Sequence, residues 1–577
     1  MKVTGSSLFA TAMKKEGVDT IFAYPGGYVI DLLDELYDHS DINLVLPRHE
    51  QGLIHAADGY ARATGKVGVC LVTSGPGATN LVTGIANANY DSVPLVCFTG
   101  QVPAHLISND AFQEVDIVGI TRNITKHSIM VRDRKDLGRI IKEAFYIARS
   151  GKPGPVVVDL PADVMKELGD DEYPSGVNIR GYKPSQGVHM GQMKKALQLL
   201  EEARKPLFLI GGGVNIAGAQ NELTELCEKI NVPVVTSLMG KGAIDTDHPL
   251  YMGPIGMHGC YAGNRAINEC DLLFTIGCRF NDRVTGKTSK FAPNAKIVHI
   301  DIEAAAISRN IKVDIPIVAD AKEAIKKIIK HTDSMDHGRW IEEIRAWTKD
   351  VPLKAEVKVG VNPQLVVEVI NYVYENDDTI ITTDVGQHQM WAAQYLKLGR
   401  KHRLITSGGL GTMGFGLPSS IGAAIGCPEK QIISISGDGG FQMNMQELAT
   451  AVTQRLPMVA VVFNNNYLGM VRQMQELFYN KRYSITCLRY HKECKGKCGT
   501  PGHECPPYTP DFVKIAAGYG IPGYCVTEDS QILDTLREAK AKAMETSGPV
   551  LVECAVGPYE LVLPMIKGGA SFDDIIL

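Results

Sequence analysis

Residues 437 to 467 constrain this chain more than any other stretch. They read Gly437-Asp438-Gly439, then twenty-four positions, then Asn464-Asn465-Asn466-Tyr467. Ile432 to Ser436 is a short β-branched run of the kind that forms a buried parallel strand. It ends in glycines and a carboxylate. The spacing predicts a helix over Asn444 to Gln454, with Met445, Leu448 and Val452 on its apolar face, then a second strand over Pro457 to Phe463 that ends in asparagines. This is one βαβ unit with oxygen ligands at the carboxyl ends of both strands, where open α/β sheets bind their ligands. Asp438 and Asn465 offer hard oxygens to a Mg²⁺ ion that keeps its other positions for phosphate and water. Gly437, Gly439 and Gly440 let backbone N–H groups approach a diphosphate closely.

The same alternation of helical pattern and apolar strand recurs through the chain. Strand-like runs fall at Thr20–Ala23, Val67–Val72, Val93–Phe98 and Pro155–Leu160, and again from Pro206–Ile210, which is followed by Gly211-Gly212-Gly213. The expected architecture is α/β, with three doubly wound parallel-sheet domains at 1–168, 188–335 and 362–577. The less patterned segments 169–187 and 333–361 read as linkers. Among 577 residues, 59 Lys and Arg face 64 Asp and Glu, a net charge of −5. No basic stripe points to nucleic acid and no polybasic tail to a membrane surface. The N-terminus runs directly into an amphipathic helix, and no apolar run reaches membrane-spanning length. Most of the thirteen cysteines sit in apolar runs, which suits reduced thiols in a cytoplasmic enzyme. An insertion at 484–509 carries Cys487, Cys494, Cys498 and Cys505 with His491 and His503; zinc, two disulfides and free thiols are all open there.

The Gly437–Tyr467 unit resembles the signature of thiamine diphosphate enzymes. The likeness extends along nearly the whole chain and is nearest to the catalytic large subunits of acetohydroxyacid (acetolactate) synthases. It is carried by Tyr24-Pro25-Gly26-Gly27, Arg48-His49-Glu50-Gln51-Gly52, Ser74 to Asn80, Asp110 to Glu114, Gly256-Met257-His258-Gly259, Arg279 to Lys287, Gly386 to Trp391 and Val562 to Met565. The resemblance implies a pyrimidine-binding first domain, a flavin-binding second and a diphosphate-binding third. The cofactor would lie between the first domain of one subunit and the third of another, so a homodimer is the minimum active unit. A homotetramer and a regulatory small subunit are further candidates.

Carried over by position, Asp438, Asn465 and the Tyr467 carbonyl would hold Mg²⁺. Pro25, Gly26, Gly386, Gln387, His388, Gly411, Gly437, Gly439, Gly440, Leu468, Gly469 and Met470 would surround the cofactor, with Met413 supporting its bent conformation. Glu50 would hydrogen-bond a pyrimidine ring nitrogen, favouring the tautomer whose exocyclic nitrogen removes the thiazolium C2 proton. Gly27 and Gln113 would stand beside the reacting atoms, and Tyr28, Phe112, Lys126 and Met474 on the substrate side. FAD, in a non-redox role, would be held by Lys152, Gly211 to Gly213, Leu238, Met239, Met257, His258, Gly277, Arg279, Arg283, Asp301, Ile302, Asp320 and Ala321. Alone, the triple glycine lacks the G-x-G-x-x-G form of a dinucleotide fingerprint.

The sequence departs from the family pattern at four positions. Lys152 replaces an arginine, Tyr28 an alanine, Met474 a tryptophan and Ala162 a lysine. The expected reaction joins the two-carbon unit left by decarboxylated pyruvate to a second 2-keto acid, as in branched-chain amino-acid biosynthesis. Tyr28 and Met474 leave open an altered acceptor, another decarboxylase or carboligase, or a pyruvate oxidase. Loss of the tryptophan predicts weak preference for 2-ketobutyrate.

Overall fold

The computed structural model describes residues 2–184, 187–354, 357, 359–489, 494 and 510–577. Three six-stranded sheets, each wholly parallel, form in chain order. In the first, strands run spatially as Asn43–Val45, Thr20–Tyr24, Gly68–Val72, Leu95–Gln101, Pro155–Pro161 and His127–Met130. Numbered by sequence within the sheet, that order is 2-1-3-4-6-5. The third sheet repeats it: His402–Thr406, Thr379–Thr383, Gln431–Gly437, Met458–Asn464, Val550–Ala555 and Gly523–Val526. The central sheet differs, running Tyr251–Pro254, Val234–Thr236, Pro206–Ile210, Leu272–Ile276, Lys296–Asp301 and Ile315–Val318. Its order, 3-2-1-4-5-6, is that of doubly wound dinucleotide-binding folds.

Each sheet is buried on both faces, so its strands read as continuous apolar runs. Leu95–Gln101 and Pro155–Pro161 are buried at all seven positions. Phe9, Phe98 and Phe145 fill one side of the first sheet, while Leu53, Ile54 and Ile85 fill the other. A short antiparallel pair, Lys2–Thr4 with Leu168–Asp170, ties the chain's start to the end of the first module.

Two expectations need correction. The segment 333–361, read as a linker, contains the helix Gly338–Asp350. Its Trp340, Ile341, Ile344 and Trp347 form a helical stripe that joins the central core, and Trp340 Nε1 donates to Pro206 O at 3.1 Å. The helix expected from Asn444 begins at Asp438 instead, running to Asn444 before a 3₁₀ turn at Met445–Glu447 and a further helix at Leu448–Thr453. Three glycines in four residues hide that start from any propensity argument, because glycine is a poor helix former.

Two helices join the first and third modules. Glu50–Thr64 starts with the His49 ring accepting from Gln51 N and stops at Gly65, in the left-handed region at φ 75°. It crosses Gly416–Gly426 at backbone contact: a side chain at Gly59 would strike the Ser419 carbonyl, and one at Gly422 the Ala56 carbonyl.

Candidate functional site

The order 2-1-3-4-6-5 reverses direction between its first and third strands, which opens a crevice at their carboxyl ends. In the first sheet those ends carry Pro25-Gly26-Gly27-Tyr28 and Thr73 to Gly77; in the third they carry Asp384 to His388 and Asp438 to Gly440. In the central sheet the reversal lies between Pro206–Ile210 and Leu272–Ile276, which end in Gly211–Gly213 and Gly277.

At the third crevice Asp438 is buried, and one oxygen accepts Gly439 N at 2.9 Å while the other accepts Asn466 N at 2.7 Å. Burial pushes its carboxyl up to about 7 against the pull of these N–H groups. Asn465 Oδ1 accepts Tyr467 N at 3.0 Å, and its Nδ2 reaches Gln387 Oε1 at 3.3 Å. Asn466 stands in the left-handed region at φ 62°, and its buried Oδ1 has no partner among the described residues. Gln387 also donates to Gln473 Oε1 at 2.9 Å and Glu560 O at 2.7 Å, which fixes the turn carrying Gly386. The buried His388 ring lies beside Gly437, and burial draws it down to about 3, so it is neutral. Gly469 leaves no room for a side chain against Gln387, while Leu468 and Met413 flank Gly439. Met470 packs on the core of the third module.

At the first crevice Glu50 opens its helix and is 9 % exposed. Its Oε2 accepts Asn80 Nδ2 at 2.9 Å; its Oε1 faces Gly77. Gly26 packs on Thr73 and Gly27 borders open space. Gln113 adopts φ 63°, and Gly75 at φ 60° lies against its backbone, where a side chain would come within 2.9 Å of the Gln113 carbonyl. Tyr28 Oη donates to Phe112 O at 3.4 Å, so Tyr28, Phe112 and Gln113 form one group. Phe112 is 80 % exposed. Met474 lies half-buried on the helix Gly469–Phe478 of the third module. Ala162 is buried at the start of Ala162–Lys166.

Lys126 is not brought to this group. Its ammonium donates to the carbonyls of Ile147 and Ser150, the latter at 2.7 Å, and to Tyr182 Oη at 3.1 Å. A cation there caps the carboxyl end of Leu137–Arg149, a better partner than a solvated crevice.

The candidate flavin residues gather at the carboxyl ends of the central strands. Gly211 and Gly213 pack on Gly277 so closely that no side chain fits. Met239, in the 3₁₀ turn Leu238–Gly240, covers Gly212. Asp301 Oδ1 accepts Glu303 N at 2.8 Å, with Ile302 between them, and Asp320 caps Ala321–His331. Arg283 Nη1 lies 3.9 Å from Met257 Sδ, and His258, drawn down to about 4 by burial and then by the Arg283 charge, is neutral. Lys152 of the first module is lowered by burial and then by the charge of Arg279 in the central module, and its ammonium donates to Asn89 O at 3.4 Å. Of the cysteine insertion, Cys487 makes a β-bridge to Tyr467; the zinc or disulfide question involves Cys498 and Cys505, which lie outside the described residues.

Three structural residues carried no sequence signal. Asp384 is buried, accepts from Val385 N, Gly414 N and Gly416 N, and is pushed up to about 6 by burial. Glu447 of the third module accepts Arg48 N at 3.0 Å and His49 N at 3.1 Å, directly before Glu50. Asp91 binds a loop of the third module, Gly408–Gly409.

Two modules that repeat one strand order and carry glycine- and carboxylate-lined crevices, with a dinucleotide-type module between them in the chain, point to a thiamine pyrophosphate enzyme. Family profiles agree: the N-terminal TPP-binding domain matches residues 3–120, the central domain of thiamine pyrophosphate enzymes 193–328 and the C-terminal TPP-binding domain 384–554. The chain is 44 % identical to a probable acetolactate synthase large subunit of Methanococcus aeolicus, covering 100 % of this chain and 95 % of that protein. It is 45 % identical to its counterpart in Methanocaldococcus jannaschii (99 % and 95 %) and 41 % identical to acetolactate synthase isozyme 3 large subunit of Escherichia coli (100 % and 98 %). The chain belongs to the acetolactate synthase large-subunit family.

Proposed function

We propose that this chain decarboxylates pyruvate and joins the remaining two-carbon unit to a second 2-keto acid, giving 2-acetolactate or, with 2-ketobutyrate, 2-aceto-2-hydroxybutyrate. The observation that carries the reading is the pairing of Asp438–Gly440 with Asn465–Tyr467 at adjacent strand ends, in a chain 41–45 % identical throughout to acetolactate synthase large subunits.

The residues present fit Mg²⁺. A buried carboxylate that accepts the N–H groups of Gly439 and Asn466, beside an amide oxygen with no partner among the described residues, is a donor set that suits a hard cation. Asp438, Asn465 and the Tyr467 carbonyl would hold the ion. Gly386–His388 and Gly437–Gly440 would receive the diphosphate, helped by the helix N-terminus at Asp438. The central crevice, with Gly211 and Gly213 packed on Gly277, would likewise fit the pyrophosphate of FAD, with Arg279 and Lys152 as cations for it and Asp301 for its ribose. When bound, thiamine diphosphate supplies the electron sink that decarboxylation of a 2-keto acid requires. Glu50, its Oε2 held by Asn80, would offer Oε1 to a pyrimidine nitrogen, and Gln113 and Tyr28 would border the entering keto acid. Met474 offers that acid a flexible thioether.

Assembly as a homodimer, with each site shared, is part of the reading. Supporting it, the large aromatic side chain of Phe112, beside Gln113 at the first crevice, is exposed in the single chain and available to a second copy. The designation of the relatives as large subunits supports a separate small-subunit partner, which we propose to be regulatory. No described helix is long and apolar enough to cross a membrane, and we place the enzyme in the cytoplasm.

The test is omission and replacement. Apo-protein given pyruvate is expected to need both thiamine diphosphate and Mg²⁺, and Asp438→Ala to remain inactive with both. Full activity of Asp438→Ala would overturn the metal assignment.

A further inference from the structure

We propose that Asp91, which ends the helix Val82–Asp91, is a positioning residue for the cofactor pocket. With Asn87 and Arg62 it clamps the loop 406–414, and so sets where Met413 stands against Gly439. The proposal rests on the thiamine diphosphate reading above.

The Asp91 side chain has no exposed area, and its acceptors serve another module. Oδ1 accepts Gly409 N at 2.8 Å, and Oδ2 accepts Gly408 N at 3.1 Å and Arg62 Nη2 at 3.1 Å. Arg62 Nη1 donates to Thr406 O at 2.9 Å, and its Nε binds Asp58 at 2.6 Å. Asn87 Oδ1 accepts Ser407 Oγ at 2.6 Å and Thr412 Oγ1 at 3.3 Å, while its Nδ2 donates to Asp58 Oδ2 at 3.0 Å. The buried charges and amide thus satisfy one another and the loop together, the condition under which a buried polar network fixes a single geometry.

The loop needs this help. Its own module anchors its two ends, where Gln389 holds Thr406 Oγ1 at 2.7 Å and Ser407 O at 3.1 Å and Asp384 holds Gly414 N at 3.0 Å, and adds one bond across the loop, from Thr412 N to Ser407 Oγ at 2.9 Å. Between those ends lie Gly408, Gly409 and Gly411, and Gly411 and Gly414 stand at φ 74° and 89°, so the backbone alone specifies little. Met413 hangs from this stretch with its terminal methyl 3.7 Å from where a Gly439 Cβ would stand. At Gly409 a side chain would come within 2.7 Å of Asp91 Oδ1, so the clamp is close-packed. The diphosphate contacts, at 386–388 and 437–440, do not run through the clamp. Loosening it therefore affects how the cofactor's rings are presented more than how tightly its diphosphate is held.

The test compares wild type, Asp91→Asn and Ser407→Ala, each loaded with Mg²⁺ and thiamine diphosphate. Two quantities are read: the Kd for thiamine diphosphate, and the rate of hydrogen–deuterium exchange at C2 of the bound cofactor, by acid quench and NMR. Exchange is expected to fall ~10-fold or more in Asp91→Asn and about threefold in Ser407→Ala, with Kd changed less than about threefold, since ångström-scale misplacement costs rate before affinity. Exchange within about twofold of wild type in both variants would overturn the proposal, as would a loss that merely tracks Kd. If Asp91→Asn does not fold, Gly409→Ala decides in its place, because its Cβ presses on Asp91 Oδ1 while leaving the Arg62 ion pairs and the Ser407–Thr412 bond intact, and exchange within about twofold of wild type there would overturn the proposal. Wild-type protein that binds no thiamine diphosphate would instead remove the underlying reading, a result seen before any variant is compared.

Discussion

Glu447 joins the third module to the residues that carry Glu50, and replacing it separates electrostatics from packing. Its carboxylate is buried, is raised by burial, and accepts Arg48 N through both oxygens (3.0 and 3.1 Å), His49 N at 3.1 Å and Thr450 Oγ1 at 2.6 Å. In Glu447→Gln one oxygen becomes an NH₂ facing Arg48 N–H. The remaining bonds lose their charge assistance, worth about 1 kcal/mol each over two bonds. The favourable charge at the amino end of Glu50–Thr64 adds roughly 0.5–1 kcal/mol. The expected loss is about 2–3 kcal/mol, or roughly 5–10 °C in the thermal midpoint of a module of this size. Gly52 supplies the second half of the cycle, because its missing Cβ would lie inside contact distance of Glu447 Oε1. Gly52→Ala should cost about 1–3 kcal/mol in wild type through overpacking. In a Glu447→Ala background the same change should cost close to nothing. Thermal unfolding of the four proteins gives the coupling directly. Additive effects, or a Glu447→Gln midpoint equal to wild type, would refute the contact's role.

Glu50→Gln should lower kcat by about 10²–10⁴-fold while leaving thiamine diphosphate affinity within a few-fold, measured by steady-state kinetics and titration. Met474→Trp should raise selectivity for 2-ketobutyrate over pyruvate by about 10-fold in a competition assay, the scale of one pocket-filling change. Asp159 is pushed up to about 7 by burial, against hydrogen bonds from Thr99 and Gln101. A carboxyl raised in the fold contributes stability below its unfolded value near 3.8, and that contribution is lost as pH rises through about 7. The midpoint of Asp159→Asn relative to wild type should therefore rise between pH 5 and pH 8; a constant difference would contradict this.

Much of the fold was legible because parallel strands buried on both faces are written as apolar runs. Pro206–Ile210 has the bounds read from sequence, and the two strands of the opening motif differ by a residue or two. Strand order was not legible, since it depends on which crossovers pack where. The helix Gly338–Asp350 escaped notice because its stripe lies beside polar, unpatterned residues and gains meaning only against the central sheet. Candidate residues at strand ends could be found because glycines and oxygen ligands after a β-branched run are a local signal. Asp91 and Glu447 act through contacts up to 399 residues away in sequence, and Asp384 through glycines 30 and 32 residues on; a lone carboxylate carries no mark of its partner. Lys126 shows the reverse error: position along the chain placed it near substrate, while its charge found a helix end.

In the proposed reaction the pocket passes a two-carbon unit from one 2-keto acid to another. Mass spectrometry of products from pyruvate alone, with thiamine diphosphate, Mg²⁺ and FAD supplied, tests it most directly. 2-Acetolactate is expected as the main product, formed with one CO₂ for every two pyruvates; acetaldehyde or acetate in its place would contradict the proposed reaction.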